Sequence, residues 1–352
     1  MMQGRTAQVD CPCVACGVTR WVNITTKPKC APKSWECCIL HKLRLKVKHM
    51  QKKRRINIMT SCDENYAKLV PVQLLSIADN LSDYEVHFYL FHNQMQEKCI
   101  NSLRICCEKL NIGFQDMKIR DVAPYEELAT KGGGWVPEAY FALECHTYLP
   151  AEVDRVMYVD AADVLILGDI AEYYFSDFDD HLIIATGARF KRKNNEVHQF
   201  EDGDLEDLEL ANSILRGAFN SGSYVINTEK LRIENVSIND FLKVKSFLES
   251  MSPDFEQLYH GDQGILSIAY IGSIKLFGYP QVRDLMYQPY NFCMWFFDLA
   301  PKRCNGNPWY VPKVVHFAGA VKPWNLTEDS EKTLKPGQWP FTRYTKCMKS
   351  WR

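Results

Sequence analysis

Two hydrophobic periods alternate along residues 55–325. Ile56, Ile58 and Thr60 take turns with Asn57, Met59 and Ser61, a period of two that predicts a buried strand. Residues 67–80 then read as a helix, with Leu69, Val72, Leu75 and Ile77 on its apolar side. The pattern repeats: a strand at 85–91 alternating Val86, Phe88 and Leu90, a helix at 94–110, and a third strand at 113–119. Residues 138–148 are helical in composition, and 155–159 form an apolar strand that stops at Asp160. Further strands are predicted at 181–186 and 223–227, helices at 239–251 and 263–270, and a late strand at 314–317. Strands alternating with helices predict an α/β domain with a mixed, largely parallel central sheet flanked by helices. In such sheets ligands bind beyond the carboxyl ends of strands, so chemistry is sought there.

Residues 1–54 lack this pattern, and the patterned domain gives way to a tail at 326–352. Six of the fourteen cysteines lie in the first 38 residues. Cys13 and Cys16, with Cys37, Cys38 and His41, are candidate zinc ligands, although the second half lacks metal-ligand spacing. The alternative is an extension of uncertain order, with the remaining cysteines reduced. Eight Lys or Arg and no acid fall between Lys42 and Arg55, a run suited to a linker or to an anionic membrane surface. The net charge of −1 gives no global field for nucleic acid. No stretch approaches the ~20 apolar residues that span a bilayer. The first ten residues lack the apolar core of a secretory signal. A cytoplasmic location is expected, with peripheral contact on the inner membrane face through residues 42–55.

Five segments carry candidate chemistry. Ser61 to Tyr66 follows the first strand: a carboxylate (Asp63) and an amide (Asn65) suit the edge of a base, and the Tyr66 ring suits stacking on it. Asp63 is equally placed as a helix N-cap. Asp160 and Asp163 end a buried strand, separated only by alanines. Carboxylates beside an apolar run need compensation, and a divalent cation with oxygen ligands supplies it. The alternative is a pair of loop acids facing water. The run Val314 to Trp324 places His316 in an apolar strand, followed by Gly319 and Lys322. His completes metal sites with carboxylates, Gly admits a close phosphate, and Lys neutralises one, while a core histidine is the plainer reading. Asn220 and Gly222 precede one strand, and Asp262 and Gln263 open a helix, where they suit sugar hydroxyls or serve as ordinary turns and caps.

In this order the five segments resemble glycosyltransferase family 8, the retaining galactosyl- and glucosyltransferases that include lipopolysaccharide transferases and glycogenin. The resemblance implies a GT-A-type nucleotide-sugar-binding fold over roughly residues 55–325. It implies that Asp63, Asn65 and Tyr66 bind the nucleoside of a UDP-sugar, and that Asp160, Asp163 and His316 hold Mn²⁺ or Mg²⁺. Asn220, Gly222, Asp262 and Gln263 would flank the transferred hexose, galactose or glucose, with Gly319 and Lys322 on the diphosphate. Asp262, Gln263 and Lys322 are thereby the expected catalytic residues, and a glycan or glycolipid the expected acceptor. Three departures stand out. The acids are spaced DxxD, where the family has DxD, so they converge only if the chain turns after Asp160. Ala142 stands where the family commonly has an arginine, and Gly264 replaces the second acid of a DQD run. These leave a catalytically inactive UDP-sugar-binding relative as an alternative. A sugar nucleotidyltransferase ranks lower, because Ser61 to Tyr66 holds no phosphate-cradling glycine.

Overall fold

A computed structural model describes residues 53–129, 136–186, 219–251, 261–277, 312–318 and 321–327, Asp329 and Lys332, the helix Trp339–Trp351, and four short strands at 191–193, 196–198, 287–288 and 291–293. The candidate zinc ligands and the basic run up to Lys52 lie outside the described residues, as does Gly319. None of the helices in the described residues is long and apolar enough to cross a membrane. The described cysteines, Cys62, Cys99, Cys106, Cys107, Cys145 and Cys347, are free thiols.

The central sheet is built from β1 (Arg55–Ser61), β2 (Glu85–His92), β3 (Gly113–Lys118), β4 (Arg155–Val159), β6 (Ile183–Ala185), β9 (Ser223–Asn227) and β10 (Ile274–Leu276). Its order is β10-β6-β9-β4-β1-β2-β3. All pairings are parallel except those of β9, which runs antiparallel to both neighbours. Helices pack on the sheet, and its central strands β1, β4 and β9 are buried on both sides while the edge strand β3 is largely open. Ile56 to Ser61 are all buried, the nominally polar positions included. Ile56, Ile58, Phe88 and Met157 belong to one apolar cluster, and Met59, Tyr89, Tyr158 and Tyr224 to the other. Asn57 tolerates its burial because its N–H donates to Tyr174 Oη and its Nδ2 to the Arg155 carbonyl.

A second sheet is short and decides the site. β5 (Val164–Ile166) pairs antiparallel with β13 (Val314–His316), beside β12 (Asn291–Cys293) and β11 (Tyr287–Gln288). Its register sets His316 opposite Val164, one residue beyond Asp163. A further hairpin joins β7 (Lys191–Lys193) to β8 (Glu196–His198).

Several helices depart from their expected form. The helix expected at 67–80 is two: Glu64–Ala67, and Val70–Asn80 with Pro71 in its first turn, where a missing N–H costs nothing. Its buried apolar residues include Val70, Val72, Leu74 and Ile77, whereas Leu69 and Leu75 are only half-buried. Residues 137–144 wind as a 3₁₀ helix behind Pro137, with a single α turn at Cys145–Tyr148. The tail contains the helix Trp339–Trp351, which packs against Val70–Asn80. Arg343 pairs with Asp79 at 2.6 Å, and Tyr344 is fully buried.

Candidate active site

The candidate residues gather at the carboxyl end of β4. Asp160 follows Val159, and its N–H donates to the Gly222 carbonyl across the β4–β9 pairing. The chain then turns. Ala162 takes a positive φ of 62°, and Asp163 N–H donates back to Ala161 O at 2.7 Å. A non-glycine residue in the left-handed region is uncommon, and alanine, with a Cβ and no polar group to bond locally, is held there by its surroundings. This is the turn that the DxxD spacing required. The Gln73 amide, fully buried, donates from Nε2 to the carbonyls of Asp160 (2.9 Å) and Val164 (3.1 Å), one at each end of the turn.

His316 reaches Asp160 from β13, with Nε2 3.2 Å from Oδ2. The other Asp160 oxygen accepts from Tyr158 Oη at 2.9 Å. On the far side, His316 Nδ1 lies 2.7 Å from Asn220 Oδ1. Asn220 Nδ2 donates to Gln263 Oε1, which also accepts from Ser221 N–H. Asn220, Gln263, His316 and Asp160 thus form one network. Gly222 is packed against it so closely that a Cβ there would lie 2.2 Å from His316 Nδ1.

Asp163 is held apart from this network. Its Oδ2 accepts from Lys322 Nζ at 2.8 Å, and Lys322 also donates to Phe317 O. Burial raises the Asp163 carboxyl above the usual range against the lowering pull of Lys322 and His316. Lys322 lies 5.7 Å over the Trp324 ring, which meets Tyr66 edge-on at 6.1 Å and Tyr344 at 5.7 Å. The helix Trp339–Trp351 therefore buttresses the segment that carries His316 and Lys322. Asp63 caps Glu64–Ala67 through Tyr66 N–H and accepts from Asn65 Nδ2 at 3.0 Å. Tyr66 remains 41% exposed, so its ring is open to a stacking partner. Its phenol is raised by partial burial and then by Asp163, Asp63 and Asp160. Tyr66 and the two acids therefore feel one another.

Asp262 is buried at the start of the helix Gly261–Ala269 and accepts from Ser221 Oγ at 3.3 Å. Burial, then the charge of Asp160, pushes its carboxyl up to about 8. Asp262 faces Ser221 at 6% exposure, and Gln263 and Asn220 form the hydrogen-bonding pair next to His316. Ala142 is 3% exposed, in the same apolar cluster as Tyr158 and Tyr224. Gly264 is likewise buried. Tyr158, Ser221 and Gln73 were not singled out from the sequence. Tyr158 carries a signal, since residues two apart share a face of a strand. Gln73 carries none.

Asp160, Asp163 and His316 suit a divalent cation by donor chemistry. If His316 donates its Nδ1 hydrogen to Asn220, Nε2 aims a lone pair at the Asp160 carboxylate, a repulsion that a cation or proton between them relieves. Asp163 Oδ1 is buried and has no hydrogen-bond partner. Among the described residues no three acidic, His or Cys side chains converge as a preformed cage, because Lys322 holds the other Asp163 oxygen.

Family membership and fold together make the chain a hexosyltransferase on a GT-A scaffold. The profile described as glycosyl transferase family 8 matches residues 57–328, and the chain belongs to that family. General stress protein A of Bacillus subtilis (strain 168) is 23% identical over 301 residues, covering 84% of this chain and 96% of the relative. A lipopolysaccharide 1,2-glucosyltransferase of Escherichia coli is 20% identical over 285 residues, covering 78% of this chain and 75% of the relative. The crystal structure of the galactosyltransferase LgtC, in complex with donor and acceptor sugar analogs, superposes with a TM-score of 0.58 at 18% identity, covering 84% of this chain and 96% of LgtC.

Proposed function

We propose that the protein transfers a hexose, galactose or glucose, from a UDP-sugar to a glycan or glycolipid acceptor, with retention at the anomeric carbon. The observation that carries this reading is the pairing of Asp160 with His316 at the end of β4, beside the partly buried Asp163, whose Oδ1 has no partner. Asp160, Asp163 and His316 would hold Mn²⁺ or Mg²⁺. When bound, the ion supplies charge neutralisation to a departing diphosphate. Lys322 adds a second positive charge close by, and Gly319 would let the backbone approach the phosphates. Tyr66 offers its exposed ring to the uracil, with Asp63 and Asn65 at its edge. Asn220, Gly222, Asp262 and Gln263 would border the sugar. No side chain in the network is a strong covalent nucleophile, so catalysis rests on positioning and on electrostatic stabilisation of the leaving group. The acceptor would attack from the face that the UDP leaves, with Gln263 nearby. Residues 42–55 would give peripheral contact with an anionic membrane face.

A second reading, a relative that binds UDP-sugar without turnover, is favoured by the Lys322–Asp163 ion pair and by Ala142 in the arginine position. A panel of nucleotide-sugars, with and without Mn²⁺, scored for released nucleotide diphosphate, separates the two. Metal-dependent UDP release from one donor, lost in Asp160→Ala and His316→Ala, supports the transferase. Tight Mn²⁺–UDP binding without release, with or without glycan acceptors, supports the binding relative. Wild-type rates in either variant, or neither release nor binding in the parent, overturn the metal assignment.

A further inference from the structure

The turn between the two acids holds one more residue than the family's spacing, and one buried side chain spans it. Gln73 lies in the first half of the helix Val70–Asn80 and is fully buried. Its Nε2 has two hydrogens, and the two acceptors within reach are the carbonyls of Asp160 and Val164. Those carbonyls flank Ala161, Ala162 and Asp163, the residues of the turn. The Gln73 oxygen has no partner although it is buried. An amide kept only to fill the core would be better replaced by an apolar side chain of the same shape, which leaves no orphan acceptor. The side chain is therefore retained for its two donors. Ala162 explains why donors are needed: at a φ of 62° the turn sits in a region that alanine rarely occupies, and the surroundings must hold it there.

We propose that Gln73 is a positioning residue, which clamps both ends of the Asp160–Val164 turn and so fixes where the backbone carries the Asp160 and Asp163 carboxylates for a divalent cation despite the added residue. The inference rests on the reading of those two acids as metal donors. Gln73 touches neither ion nor substrate. It acts through the backbone of the donors, as second-layer partners orient metal ligands elsewhere.

The test uses the full chain and Mn²⁺ with UDP as probes, with free Mn²⁺ followed by its paramagnetic resonance signal. Gln73→Leu removes both donors at similar volume. Gln73→Glu, protonated in so buried a place, retains one. Ser76→Ala is the control: one turn along the same helix, Ser76 Oγ accepts from Ile166 N–H, beyond the turn and away from both acids, and donates to the Gln73 backbone carbonyl without touching its amide. Loss of a second-layer partner typically weakens metal binding about 10–100-fold. Gln73→Leu is expected to weaken Mn²⁺ within that range, and Gln73→Glu by less. Ser76→Ala is expected to lower the melting temperature comparably while holding Mn²⁺ within about twofold of the parent. If Gln73→Leu does not fold, Gln73→Glu at parental affinity overturns the proposal. So does Gln73→Leu at parental affinity, or an equal loss in Ser76→Ala, which would mean general loosening. A parent that binds no Mn²⁺ overturns the donor reading and this proposal with it, whereas a binding parent with an unaffected Gln73→Leu overturns this proposal alone.

Discussion

Gly222 is the position where one added carbon does most to the site. In Gly222→Ala the new Cβ would lie 2.2 Å from His316 Nδ1 and 2.3 Å from Cε1. Contact between such atoms is comfortable at about 3.5 Å, so the ring must retreat by roughly 1.3 Å. The ring has little room, because Nδ1 is 2.7 Å from Asn220 Oδ1 and Nε2 is 3.2 Å from Asp160 Oδ2. A shift of that size away from Gly222 breaks one or both contacts. Overpacking costs about 1–3 kcal/mol and a lost hydrogen bond about 1 kcal/mol, so destabilisation of about 2–4 kcal/mol is expected. In a domain of this size that lowers the melting temperature by roughly 3–7 °C. Misplacement of a reacting constellation by about 1 Å is worth about 100-fold in rate, so metal-dependent UDP release should fall by at least that factor. Gly168→Ala is the matched control: the nearest atom to its Cβ would be Lys313 Cγ at 3.3 Å, in a flexible side chain that yields, with the Lys313 backbone at an ordinary 3.8 Å. The assays are thermal melting and UDP release on both variants. A Gly222→Ala protein with parental release and melting temperature would refute the placement of His316 against Gly222. Equal losses in Gly168→Ala would show that the effect is not specific to the site.

Two further outcomes follow from the buried charges. The Asp262 carboxyl is held at about 8 by burial and by Asp160, above its value in the unfolded chain. The folded protein therefore binds an extra proton between about pH 4 and pH 8, and stability falls as pH rises through that window, by at most about 1.4 kcal/mol per pH unit. Asp262→Asn removes this dependence, so in the presence of a chelator its melting temperature should gain on the parent from pH 5 to pH 8, and parallel pH profiles would count against a raised carboxyl. Lys322→Met leaves the Asp163 carboxylate, 16% exposed, without its cation and should cost about 3 kcal/mol in urea unfolding. Adding Asp163→Asn should recover most of that loss, and a double variant no more stable than the single would show that Lys322 contributes by packing alone.

Much of the sheet was written in the local pattern. β1, β2, β4 and β9 follow from runs of apolar residues that stop at polar ones, and the polar stops are where the site lies: Ser61 to Tyr66, Asp160, and Asn220 to Gly222. Strand ends are legible because burial of the strand and exposure of its end are both local properties of the chain. The order of the five segments then sufficed to indicate the family. The sequence could not show which acid meets which base. Asp160 pairs with His316 and Asp163 with Lys322 because β5 and β13, nearly 150 residues apart, pair in one register, and short strands carry too little pattern to reveal their partners. Nor could it show that the tail carries a helix, Trp339–Trp351, packed against Val70–Asn80, or that Gln73 spans the turn between the acids. The helical composition of 138–148 left a related matter open: whether the segment winds as α or 3₁₀ depends on how Tyr140, Phe141 and Leu143 pack into the core. Periodicity records which side of an element is buried. What it is buried against is a property of the whole folded chain, and the chemistry of this site is made of such meetings.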